Sequence, residues 1–309
     1  MSKNNLEIIN YGATAITYKI KIKGKYYAYR REKISTEDFN MLKDIEKDNL
    51  ESLLNKTSKH QIIRNIYFNK FINTLNTTHF LILKKYKFTK ADYKVPLVEG
   101  LKVYDWCIPH NTKINNFKYS FDTITDLKDG NLNDIYNIIT KHEVYSLIIQ
   151  IIYALHLIHI NDFMHNDLTS TNICYKKTKT KYIKILGLSI PTYGYIFSLI
   201  DYDTVSSLKF KNRSIDKYMN DNPYVENLHF LLISIFNMLY NMKGWENNDK
   251  LFNLIYKIRN NPHDKSILND PNFNLFESLL LNYEETKNYI LLMNDKIKLI
   301  KYFYKLIKK

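Results

Sequence analysis

Residues 144–163 form an apolar run with helical periodicity that ends directly in a polar loop, His165-Asn166-Asp167-Leu168-Thr169-Ser170-Thr171-Asn172. Farther on, residues 196–200 are apolar over the length of a strand and end at Asp201-Tyr202-Asp203. Each segment is predominantly apolar up to the polar residues at its end. A fold that accommodates both has to bring a carboxylate and an amide from one loop, and a second carboxylate from a strand end, beside a packed core.

Those three groups suit phosphoryl transfer. That reaction asks the protein for positioning and charge neutralisation more than for covalent participation, so one carboxylate on the attacking hydroxyl and an Asn-plus-Asp pair for Mg²⁺ are sufficient. The loop has the H-x-D-L-x-x-x-N spacing of a protein-kinase catalytic loop, and Asp201 falls at the first position of D-F-G. Together with Asp129-Gly130-Asn131-Leu132 and Pro191-Thr192-Tyr193-Gly194-Tyr195, the stretch 119–203 resembles the divergent Ser/Thr protein kinases of large DNA viruses, of the poxvirus and giant-virus type. The resemblance extends over nearly the whole chain.

It implies an α+β, two-lobed protein-kinase-like fold. A small strand-rich N-lobe would span 1–126, with an elaborated loop region at 87–118. A mainly helical C-lobe would span 127–309 and carry the catalytic loop 165–172. The implied activity is transfer of the γ-phosphoryl group of ATP to Ser or Thr of a protein substrate, with Asp167 as the base and Asn172 and Asp201 holding Mg²⁺. The implied setting is the host cytoplasm, with packaging in a virion as a second option.

Composition agrees with a globular enzyme. The 309 residues suffice for one large or two modest domains, and 45% are hydrophobic. A net charge of +14 favours acidic partners, but the Asn-, Ile-, Lys- and Tyr-rich composition points to an AT-rich coding genome. No nucleic-acid-binding or membrane-binding motif accompanies the charge. Cys107 and Cys174 stand far apart, so neither a disulfide framework nor a zinc site is indicated. The N-terminus lacks a signal-peptide pattern. The most apolar run, 147–160, is interrupted by Gln150, His156 and His159, so no membrane-spanning segment is expected.

The pattern predicts strands at 6–10, 15–22 and 25–31, with Lys23-Gly24 as a hairpin turn. Helices follow at 36–54, capped by Ser35 or Thr36, and at 58–75, then a strand at 79–86. Residues 87–118 are irregular apart from a short strand at 101–105. A strand at 119–126 leads to a hinge at Asp129-Gly130 and a short helix at 132–139. Helices are expected afterwards at 144–163, 225–242, 248–260, 272–281 and 284–306.

By the same resemblance, Asn10-Tyr11-Gly12-Ala13-Thr14-Ala15-Ile16-Thr17-Tyr18 aligns with the Gly-rich nucleotide loop, with Gly12, Ala15 and Thr17 beside the phosphates. Tyr27-Ala28-Tyr29-Arg30 takes the V-A-I-K position, with Ala28 lining the pocket and Arg30 replacing Lys as the phosphate-binding cation. Arg keeps the charge but is longer and planar. Asp126, Leu127 and Lys128 would offer backbone groups to adenine beside Thr125. The pattern departs from the family in three respects. Helix 58–75 contains no acidic residue to pair with Arg30, and Asn65 sits near the expected place, with Glu46 and Glu51 on the preceding segment. Asn166 replaces the Arg that grips a phosphorylated activation segment. No A-P-E follows Asp203, and Asn227 stands where the family often has Asp. These departures keep two alternatives open, a pseudokinase acting as a binding or scaffold protein and a small-molecule kinase of the choline or aminoglycoside type.

Overall fold

A computed structural model describes residues 6–11, 15–94, 116–135, 138–207, 209–210 and 289–308. The chain is mixed α+β, with a five-stranded antiparallel sheet at its N-terminal end. The strands are β1 (Glu7–Tyr11), β2 (Ala15–Ile22), β3 (Lys25–Ile34), β4 (Leu83–Lys94) and β5 (Asn116–Asp126), in the order β1-β2-β3-β5-β4. The β2–β3 hairpin turns at Lys23 (φ 49°) and Gly24 (φ 83°), the left-handed pair that a two-residue turn needs and that glycine adopts without strain.

Between β3 and β4 lie α1 (Thr36–Leu42), a 3₁₀ turn (Ile45–Lys47), α2 (Leu50–Lys56) and α3 (Gln61–Thr74). The single helix expected over 36–54 is therefore two short helices. Ser35 caps the first in a capping box with Asp38, and Asn49 starts the second by accepting from the Ser52 N–H at 2.8 Å. The strand expected from 79 starts at Leu83. It continues to Lys94, and β5 begins at Asn116, so the ends of the expected loop region 87–118 are strand. The strand expected at 101–105 lies outside the described residues, as do the helices expected at 225–242, 248–260 and 272–281.

After β5 come β6 (Gly130–Asn131) and a 3₁₀ turn at Leu132–Asp134, at the start of the helix expected at 132–139, of which 136 and 137 lie outside the described residues. Gly130 is required by packing, since a Cβ there would lie 2.5 Å from Asp134 Oδ2 and 2.9 Å from Tyr175 Cε1. Helix α4 (Lys141–His159) begins at a capping box between Thr140 and Glu143 and is buried along nearly its whole length. The chain then forms β7 (Phe163–Met164), β8 (Ile173–Lys177), β9 (Tyr182–Ile185), β10 (Leu188–Pro191), β11 (Tyr195–Leu199) and β12 (Ser206–Ser207). These make three small sheets, β11-β8-β6, β10-β9 and β12-β7, which include the strand expected at 196–200. Helix α5 (Tyr289–Ile307) packs on α4, with Tyr145 and Phe303 ring centroids 5.9 Å apart.

One hydrophobic core joins α1–α3, α4, the small sheets and α5. Phe163 sits at its centre, stacked on Phe71 at 4.6 Å and edge-on to Phe68 at 5.1 Å. A second cluster, Ile16, Tyr18, Ile20 and Tyr29, occupies the other face of the N-terminal sheet. No helix among the described residues is long and apolar enough to cross a membrane.

Candidate active site

Strand alternation sorts the N-terminal residues first. On β3, Ala28, Arg30 and Glu32 share one face, and the register places them opposite Lys19, Thr17 and Ala15 of β2 and Thr125, Thr123 and Phe121 of β5. Ala15, Thr17, Ala28 and Arg30 therefore lie on one surface. Gly12 lies outside the described residues.

The loop after α4 is fixed by its histidine. His165 is fully buried, and its Nε2 donates to the Ile200 carbonyl at 2.8 Å. A carbonyl only accepts, which leaves Nδ1 free to accept the Asp167 N–H at 3.4 Å. Burial lowers the His165 pKa, although the Ile200 bond opposes that, so the ring is neutral and acts as a strut. Asn172 turns its amide back onto Asp167, with Nδ2 donating to the backbone carbonyl at 2.9 Å and to carboxylate Oδ2 at 2.8 Å. The side chain of Asp167 is thereby oriented by its own loop.

Asp201 reaches the same place through strand pairing. Leu199 of β11 lies opposite Ile173 of β8, and the Ile200 N–H donates to the Asn172 carbonyl at 3.0 Å, so Asp201 emerges beside Asn172. Tyr202 then turns inward. Its hydroxyl donates to Leu199 O at 2.5 Å and accepts the Leu81 N–H at 3.0 Å, and its ring lies edge-on to Phe68 of α3 at 4.9 Å. Asp201 itself has a left-handed backbone, φ 62°. Its Oδ1 is buried without a hydrogen-bond donor among the described residues. Burial and the neighbouring Asp203 charge raise its pKa to about 6, against the pull of Arg30.

Arg30 bridges the sheet to this turn. Its Nη2 lies 3.3 Å from Glu32 Oε2 and 3.5 Å from Asp203 Oδ2. Asn65 on α3 donates Nδ2 to Asp203 Oδ1. Burial, opposed by Arg30, pushes the Glu32 carboxyl up to about 7. The two carboxylates suggested by sequence as partners for Arg30 do not serve. Glu46 accepts the Phe88 N–H at 2.9 Å, and Glu51 is exposed. Glu32 and Asp203 went unrecognised as partners. The sequence signal for Glu32 is its i+2 spacing from Arg30, which places both on one face, and that for Asp203 is a charge where D-F-G has glycine.

At the end of β5, Asp126 pairs with Lys84 at 3.1 Å and Lys25 at 3.3 Å. Leu127 and Lys128 follow outside any helix or strand, and Lys128 Nζ donates to Ser198 Oγ at 2.7 Å. Asn166, also left-handed at φ 62°, donates Nδ2 to Thr204 O at 2.9 Å and to Ser206 Oγ at 2.8 Å. Thr204 Oγ1 returns a bond to His165 O at 2.8 Å. Asp167, Asn172, Asp201 and Arg30 are thus brought to one site.

No protein-family model matches this chain, and no curated protein matches it.

Proposed function

We propose that the chain is an ATP-dependent protein kinase with a two-lobed kinase-like architecture, acting on Ser or Thr of protein substrates. The observation that carries this reading is the junction of the two motifs. Asn172 holds the Asp167 carboxylate, and the Asn172 carbonyl and His165 ring together hold Ile200, directly before Asp201. In this reading Asp167 accepts the hydroxyl proton of the substrate, a task set by orientation more than by basicity. The Asn172 bond from Nδ2 leaves the amide oxygen for a cation, and the undonated Asp201 Oδ1 is the second oxygen. These two oxygens suit Mg²⁺, which retains several waters. Bound Mg²⁺ would neutralise charge developing on the phosphates. Arg30, on the same sheet face as Ala28 and Thr17, is the cation placed to meet phosphate oxygens.

The test is transfer of labelled γ-phosphate from ATP in Mg²⁺ to casein or histone, with Asp167→Asn as the control. Labelling of protein by the wild type alone supports the assignment. Transfer to choline or an aminoglycoside in place of protein would move the chain to the small-molecule kinases. Absence of any transfer, with or without nucleotide binding, would favour a scaffold role. That second reading draws on the occupation of Arg30 by Glu32 and Asp203.

A further inference from the structure

Helix α3 offers Arg30 no carboxylate, since residues 61–74 contain neither Asp nor Glu. What α3 offers is Asn65, and Asn65 meets Asp203. We infer that Asp203 has taken over the role of a helix carboxylate, with Asn65 holding it in place, so that the clamp orienting Arg30 closes between β3 and the Asp201 turn. This rests on the kinase reading and specifies how its phosphate-binding cation is positioned.

The hydrogen-bond directions support the assignment. A carboxylate only accepts, so Asn65 must present its NH₂ to Asp203. Its Oδ1 then accepts from Asn69 Nδ2 at 2.6 Å, and Asn69 Oδ1 accepts the Leu83 N–H at 3.2 Å. The relay runs from β4 through two amides to Asp203 and ends on Arg30, with each oxygen of the Asp203 carboxylate committed to one partner. Glu32 also contacts Arg30, but it lies on the same strand and carries no information about the Asp201 turn. Asp203 does, because it stands two residues from Asp201. Arg30 is thereby tied to the conformation of that turn. A Glu at position 65 would aim its charge at Asp203, so the helix-borne and turn-borne carboxylates exclude one another.

That exclusion defines the experiment. Asp203→Gly, Asn65→Glu and the double variant are compared for kcat and KM toward ATP in Mg²⁺ on a protein acceptor. Each single change should lower kcat/KM by about tenfold or more, one by removing the clamp and the other by charge repulsion, and the double should recover most of the loss. Asp203→Asn, which keeps size and hydrogen bonding, covers the case in which the glycine variant does not fold, and should show the same loss with an unchanged unfolding temperature. Losses that simply multiply in the double variant, or an Asp203→Asn enzyme within about twofold of wild type, would overturn the inference. A side-chain arginine NMR measurement reads the clamp without turnover. Arg30 should show restricted guanidinium rotation in the wild type and faster rotation in Asp203→Asn, where only the Glu32 contact remains, and equal rates in the two would sink the clamp. A wild type inert in transfer but with Arg30 restricted would refute the kinase reading and leave the clamp standing.

Discussion

Acidification should weaken the fold through His79, by an amount that its surroundings set. The ring is 3% exposed, its Nδ1–H donates to Phe197 O at 3.1 Å, and it lies edge-on to Tyr153 at 5.7 Å. Its backbone carbonyl accepts the Leu199 N–H at 2.9 Å, so the residue joins the chain before β4 to the strand that delivers Asp201. Burial, aided by the Lys128 charge and opposed by the Phe197 bond, lowers the pKa from 6.5 to about 4. A depressed histidine pKa contributes stability above the unfolded value, and that contribution is lost as pH falls from 6.5 towards 4. Integrating the linkage gives a loss of about 2 kcal/mol at about pH 5, rising to about 3 kcal/mol below the folded pKa. Glu32 and Asp201, with raised pKa values, act with the opposite sign, so total stability is the wrong quantity to compare. Urea unfolding near pH 7.5 and about pH 5 should instead be compared between wild type and His79→Asn, whose amide keeps a donor near the Nδ1 position but does not titrate. The wild type should lose about 2 kcal/mol more than the variant on acidification. Equal losses, within about 0.5 kcal/mol, would refute the neutral buried state assigned to His79.

The remaining predictions concern the site. Asp167→Asn should reduce transfer by at least about a hundredfold while nucleotide affinity stays within a few fold, measured by labelled-phosphate transfer and nucleotide titration. Asp201→Ala should abolish the Mg²⁺-dependent part of nucleotide binding in the same titration. Arg30→Ala should lower kcat/KM by about a hundredfold and Arg30→Lys much less, since the charge is kept. Protein treated with phosphatase, and verified by mass spectrometry, should keep its initial rate, because Asn166 holds Thr204 and Ser206 without a phosphate.

What was legible in the sequence followed local rules. Strand β2 occupies 15–22 as expected, and Lys23-Gly24 turns the hairpin, because alternation and a left-handed glycine are local signals. That residues 165–172 form one polar loop adjoining Asp201 was legible from residue type and spacing. Strand β4 was hidden beyond Tyr86 because it is the sheet edge, where lysines such as Lys84, Lys85, Lys87 and Lys90 protect unpaired backbone groups and obscure the alternation. The break in 36–54 comes partly from tertiary contacts. Tyr86 donates its hydroxyl to the Glu46 carbonyl at 3.2 Å, and Phe88 donates its N–H to the Glu46 side chain. Strands β8–β10 are short, and only pairing makes them visible, that of β8 with β6 and β11 and that of β9 with β10. The Arg30–Asp203–Asn65 set joins residues 138 positions apart, which no window along the chain can reveal.

Asn166 and Asp201 both hold φ 62° without being glycine. Each such backbone costs roughly 1 kcal/mol or more, and Asn and Asp are the non-glycine residues that tolerate it best. The cost is met by bonds running in both directions between the loop and the segment. His165 holds Ile200, Asn166 holds Thr204 and Ser206, and Thr204 returns a bond to the His165 carbonyl, while β12 pairs with β7 beneath them. All of these bonds are between uncharged groups. A phosphate added to this segment would find its nearest anchoring position already filled by an amide that cannot make a charge-assisted bond. Asn166 thereby ties the loop to the segment after Asp203 through uncharged hydrogen bonds alone.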